Sequence, residues 1–100
     1  MLNPVTIVGA TQAAFTQVPS GIASVAILAA NGARVGATIV NTDANALLLR
    51  LDGGTVTAAN YSVSIAANAN YVVPFRYQGA ITGLWAGDGI GAANVTEFTA

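Results

Sequence analysis

Short runs of Val, Ile, Leu, Thr and Tyr alternate along this chain with Gly, Asn and Asp at intervals of about ten residues. That rhythm predicts strands over 5–8, 24–29, 34–41, 46–51, 61–66, 71–77, 80–86 and 93–99. Such a series belongs to a sandwich or barrel, because short strands separated by turn residues must close against one another. The expected fold is all-β: a small antiparallel β-sandwich or barrel, jelly-roll or immunoglobulin-like, of about seven or eight strands. Residues 1–20, bracketed by Pro4 and Pro19, read as an extended N-terminal arm, and residues 21–100 as the single domain.

The turns have specific chemistry. Asn31-Gly32 tolerates positive φ at both positions and suits a tight turn. The stretch Asn41-Thr-Asp-Ala-Asn45 offers side-chain caps for a short hairpin loop. Asp52-Gly53-Gly54 ends one strand, Asn68-Ala-Asn70 joins two, and Gly87-Asp-Gly-Ile-Gly91 separates the last pair.

Alternation identifies faces. In Tyr61-Ser-Val-Ser-Ile65 the residues Tyr61, Val63 and Ile65 are expected inward, and the two serines outward. In Ala46-Leu-Leu-Leu-Arg-Leu51 the alternation fails: Leu47, Leu49 and Leu51 share one face while Leu48 occupies the other. A strand apolar on both faces needs cover on both. Either a neighbouring subunit or the N-terminal arm is expected over Leu48.

Composition sharpens this picture. Only 7% of the 100 residues are charged, with three Arg, four acidic residues and no His or Cys, while 54% are hydrophobic and the net charge is −1. The exterior must therefore be largely Ala, Gly, Ser, Thr, Asn and Gln. Edge strands are normally guarded by charge, lysine above all, and the chain has no lysine. Such a surface implies assembly, with edges and patches covered by partners. The near-neutral balance argues against nucleic acid as a partner. The first ten residues lack a positive charge and a sustained apolar core, unlike a secretory signal. The longest apolar run, 21–30, is about half the length of a bilayer span, so no membrane partner is expected.

Little in the sequence points to catalysis, and no cofactor is expected. Without His and Cys the common zinc, haem and thiol chemistries lose their ligands. Three of the four carboxylates, Asp43, Asp52 and Asp88, fall in turns, where Asp caps backbone N–H groups. Glu97, in the last strand, is a candidate partner for an arginine. The glycines of 87–91 are followed by neither a helix pattern nor a lysine, so a phosphate loop is not expected. The serines and threonines have no His or Lys to serve as base. Tyr71, Val73, Phe75 and Tyr77 alternate on one expected strand face, as core or as a sugar-stacking platform, with the core reading favoured. Arg34, Arg50 and Arg76 all fall inside expected strands, where a guanidinium suits a planar contact to a carboxylate or to the carbonyls of a partner.

Five segments taken together, 28–41, 46–51, 71–74, 77–85 and 91–97, resemble a small protein common in tailed bacteriophages and prophages. They begin with Leu-Ala-Ala-Asn-Gly-Ala-Arg-Val and include Leu-Leu-Leu-Arg-Leu, Tyr-Val-Val-Pro and Tyr-Gln-Gly-Ala-Ile-Thr-Gly-Leu-Trp. The likeness runs from about Ile22 to Phe98 and leaves the arm outside it. It implies a non-enzymatic virion structural component, a head decoration or cement protein, made in the host bacterial cytoplasm and carried on the particle. The implied partners are the major capsid protein or other virion proteins, and further copies of the chain. A trimer would suit the local threefold positions of an icosahedral shell. The alternatives are a receptor- or glycan-binding head-fibre or tail module, and a connector or tail structural protein. The expected interface residues are Val5, Ile7 and Phe15 of the arm, Leu47, Leu48 and Leu49, the arginines Arg34, Arg50 and Arg76, and Trp85.

Overall fold

The computed structural model describes residues 9–100, so the expected strand at 5–8, with Val5 and Ile7, lies outside the described residues. Eight strands form: β1 (Gln12–Pro19), β2 (Val25–Leu28), β3 (Arg34–Asn41), β4 (Leu47–Arg50), β5 (Val63–Ile65), β6 (Asn70–Val72), β7 (Ile81–Trp85) and β8 (Ala92–Thr99). They pair in two four-stranded sheets, one ordered β1-β8-β3-β6 and the other β2-β7-β4-β5. Every pairing is antiparallel. The chain is an all-β sandwich, and no helix occurs among the described residues.

The inner faces follow the alternation of the sequence. Ala37 and Ile39 of β3, Ala93 and Val95 of β8, Leu47 and Leu49 of β4, and Ile81 and Trp85 of β7 close into one core. Gly83, between Ile81 and Trp85, leaves the space that Ile27 fills: a Cβ there would lie 2.7 Å from the Ile27 side chain. Only β4 and β5 are consecutive strands that also pair; every other connection passes from one sheet to the other. The loop 42–46 is thus an inter-sheet crossing and not the expected hairpin.

Three further expectations are corrected. Residues 12–19, expected in the extended arm, are an eight-residue strand paired along its length with β8. The expected strand 71–77 stops at Val72, and Arg76 turns the chain at φ 60°. Tyr61, expected inward, precedes β5 and is exposed, whereas Val63 and Ile65 do face the core.

Leu48 is 7% exposed, although it lies on the face of β4 opposite Leu47 and Leu49. No neighbouring subunit is needed to bury it, and β1, the described strand of the expected arm, pairs in the other sheet. The β4–β5 connection folds back across that face. Its backbone is held by Thr82 Oγ1 donating to the Gly54 carbonyl, Arg50 donating to the Thr55 carbonyl at 3.1 Å, and Val56 N–H donating to Ser24 Oγ at 3.0 Å. Val56 is buried with it. The chain itself covers Leu48.

Candidate interaction surface

Five of the seven charged residues are held by contacts within the chain. Arg34 sits at the start of β3 and is fully buried; its Nε donates to Glu97 Oε2 at 2.7 Å. The rest of its fork donates to the carbonyls of Tyr77 (3.0 Å), Gly79 (2.9 Å) and Ala29. One guanidinium thereby ties β3, β8, the β2–β3 turn and the 77–79 loop together. Arg50 makes a two-point contact with Asp52 at 2.7 and 3.0 Å. That contact, followed by the Gly54 N–H, holds the Asp52 carboxyl below its ordinary pKa.

At the other end of the sandwich, Asn41 and Asp43 form a buried polar knot. Asn41 Nδ2 donates to the Asn45 and Ile65 carbonyls at 2.8 and 3.0 Å, while its Oδ1 accepts Asp43 N–H and Trp85 Nε1–H at 3.0 and 3.1 Å. Asp43 accepts Asn45 N–H and Asn45 Nδ2 at 2.9 Å each, and Gly91 N–H at 2.7 Å. The Asn45 and Gly91 backbone donors, in that order, lower the Asp43 pKa from its ordinary 3.8. The glycines of 87–91 serve this knot. A Cβ on Gly89 would meet Asp43 Oδ1 at 2.2 Å, and one on Gly91 would meet the Asp43 Cα at 2.3 Å. Among the described residues no buried side-chain polar atom lacks a partner.

Arg34, Glu97, Arg50, Asp52 and Asp43 are therefore committed, and the two exposed charges left are Arg76 and Asp88. Away from Arg50, Asp52, Arg76 and Asp88 the surface is neutral, and one such part is the outer face of the β1-β8-β3-β6 sheet. The register places Phe15, Thr96, Thr38 and Val72 in one row across the four strands. A second row holds Gln17, Asn94, Val40 and Asn70, with Gln17 Nε2 donating to Asn94 Oδ1 at 2.9 Å. Phe98 lies beside Gly36, where an added Cβ would sit in ordinary contact with the ring at 3.9 Å. Phe15 is 64% and Val72 68% exposed. No ionisable side chain stands in either row.

Of the expected interface residues that lie among the described residues, only Phe15 is on this face. Leu47, Leu48, Leu49 and Trp85 are buried by their own chain and offer no surface to a partner. Arg34 and Arg50 make the carboxylate and carbonyl contacts that their chemistry suggested, but to their own chain. Arg76 is exposed in a turn, its guanidinium 6.0 Å from the Phe75 ring centroid. Tyr71 and Tyr77 pack against the core while Phe75 is 72% exposed, so these rings do not make a single stacking platform. The face was missed because its residues, Thr38, Val40, Val72, Asn94 and Thr96, are unremarkable singly. Their signal is collective: neutral residues at alternate positions of strands that become neighbours only after the chain crosses between sheets.

The clearest concavity beside this face is a shallow groove lined by Gln17, Pro19, Thr42, Ile90, Gly91 and Ala92, with no ionisable side chain. No group of three or more His, Cys, Asp or Glu is placed to hold a metal among the described residues. Comparison with known proteins found no matching family model, no matching curated protein and no matching solved structure.

Proposed function

We propose that this chain is a non-enzymatic structural subunit of a phage particle, a head decoration or cement protein that works through protein–protein contact. The observation that carries the reading is the neutral outer face of the β1-β8-β3-β6 sheet. A surface without fixed charge presents no ion-desolvation cost to a protein partner, and Phe15 and Val72, exposed on its two edge strands, flank the central threonines Thr96 and Thr38 with apolar contact area. The motif likeness to small virion proteins supports the same reading. A cement protein adds interface area across capsomer junctions, so the shell resists genome pressure through many modest contacts. Its partners are the major capsid protein or another virion protein, and further copies of itself.

The test is co-sedimentation of the purified protein with particles that lack it, followed by a count of bound copies. Decoration requires copies on the order of hundreds, whereas a connector ring holds about a dozen, since copy number follows the symmetry of the site. Val72→Glu and Thr38→Arg place charge in the central row at exposed or half-exposed positions. Both are expected to abolish binding with the melting temperature unchanged. Binding that survives both substitutions removes the face from the proposal, and failure of the wild-type chain to bind any particle removes the reading itself.

A further inference from the structure

Strand β1 is an edge of its sheet, and among the described residues nothing pairs with its outer side. Which of its backbone groups face outward follows from the ladder. Ser20 N–H donates to the Gly91 carbonyl at 3.0 Å, in register with the β1–β8 pairing. Directly opposed antiparallel residues alternate between pairs that exchange hydrogen bonds and pairs that do not. Even-numbered residues of β1 therefore bond to β8. The opposite sides of β8 and β3 agree: Thr42 N–H donates to the Ala92 carbonyl and Val73 N–H to the Ala37 carbonyl, each at 2.9 Å. The N–H and C=O groups of Ala13, Phe15 and Gln17 are left pointing away from the sheet. Pro19, next in that series, has no N–H to leave unpaired.

Natural edges are protected by lysine, internal proline, bulges or short length. Strand β1 has eight residues, carries no charge, holds its single proline at its last position and pairs with β8 without a register shift. From this we infer that β1 is a self-pairing edge: a second copy of the chain docks its own β1 antiparallel to the first about a twofold axis at Phe15. In that register Phe15 opposes Phe15 of the second copy, and Ala13 opposes Gln17 of the second copy. All of these are outward-facing groups, so each pair exchanges both of its N–H···O bonds. The strand matches itself electrostatically, because a neutral segment laid against its own copy brings no like charges together. The two Phe15 rings stack on the outer face, and the two neutral faces become one continuous eight-stranded surface. The contact is isologous and closes at two copies. It rests in part on the virion reading, since it supplies a surface for the self-association proposed there, but its geometry stands on the edge alone.

Sedimentation equilibrium and single-cysteine cross-linking test it. The wild-type chain is expected to sediment at twice its 10.0 kDa mass. Phe15→Lys guards the edge with charge, and Ala13→Pro removes an outward N–H that β8 does not use. Both are expected to weaken dimerisation by about tenfold or more with the thermal melt unchanged. Ala14→Pro, which removes an N–H bonded to β8, is expected to lower the melting temperature instead. The chain has no cysteine, so Phe15→Cys gives a clean probe. Opposed residues of a hydrogen-bonded pair lie about 5.5 Å apart at Cα, within disulfide reach. Rapid oxidation to a covalent dimer is expected for Phe15→Cys, and not for Ile90→Cys, whose side chain is fully exposed in a loop. A wild-type monomer at all concentrations, an oligomer indifferent to Phe15→Lys and Ala13→Pro, or equal cross-linking of the two cysteine variants would overturn the inference. A dimer that binds no particle refutes the decoration reading and leaves this one standing; a monomer that binds particles does the reverse.

Discussion

Arg34 contributes to the fold through a planar fork whose donors reach one carboxylate and three backbone carbonyls. No other side chain supplies that geometry from a single buried position. Arg34→Met leaves Glu97 with only the Asn31 amide at 3.2 Å and strands the three carbonyls, and is expected to cost about 3–5 kcal/mol, read from the denaturant midpoint. Arg34→Lys keeps the charge but loses the fork, and is expected to recover only part of that loss. The chemistry of this residue was legible in the sequence: an arginine within a strand of so neutral a chain needs a carboxylate and carbonyls. Its partners were not legible, because Glu97 is 63 positions away and only the β3–β8 pairing brings it near. Asp43 illustrates a second residue-level effect. Its pKa is lowered in the folded state, so its stabilising contribution is present above the unfolded value near 3.8 and is lost as pH falls through the folded value. Asp43→Asn turns an amide N–H₂ toward donors that need an acceptor. It is expected to lower the melting temperature at pH 6 far more than Asp88→Asn at an exposed position. The gap between Asp43→Asn and wild type should narrow as pH drops below that ordinary carboxylate value.

At the level of elements, the crossing loops carry most of the specificity, and the glycines show how. The 87–91 segment lies directly on the 43–45 loop, and Gly91 approaches backbone rather than a side chain that could swing away. Gly91→Ala is therefore expected to destabilise by about 1–3 kcal/mol through overpacking. Gly32→Ala, where an added Cβ meets nothing within 4 Å and φ is not positive, is expected to be neutral or slightly stabilising. Parallel thermal melts of the two variants check this. The sequence marks breaks between strands at 41–45 and 87–91, although the first is a crossing between sheets and not the expected hairpin loop. It does not reveal that one turn is the lid of the other, because turn chemistry is local and this contact spans 48 residues. Strand β4 presents the same contrast. Its leucine run correctly indicates cover on both faces, yet the cover over Leu48 is the chain's own 51–62 connection.

For the molecule as a whole, the sheet-switching order decides what can be removed. Read from the sequence alone, residues 1–20 look like a detachable arm. The structure assigns β1 a different role. Val18 packs against the core, Ser20 N–H bonds the Gly91 carbonyl and Ser20 Oγ bonds the Gly89 carbonyl. Deleting residues 1–20 strips the whole of β1 from β8 and frees both carbonyl contacts that fasten the 87–91 loop over Asp43. The expected result is a large fall in melting temperature and exposure of a new edge along β8, with aggregation as its consequence. Trp85 is the only tryptophan of the chain and lies 1% exposed beneath that same knot, so its emission reports the damage directly. A red-shifted spectrum at 25 °C is expected for the truncated chain, against a blue-shifted one for the intact chain. An unshifted spectrum with an unchanged melt would mean that β1 is dispensable and that the sandwich is complete with seven strands.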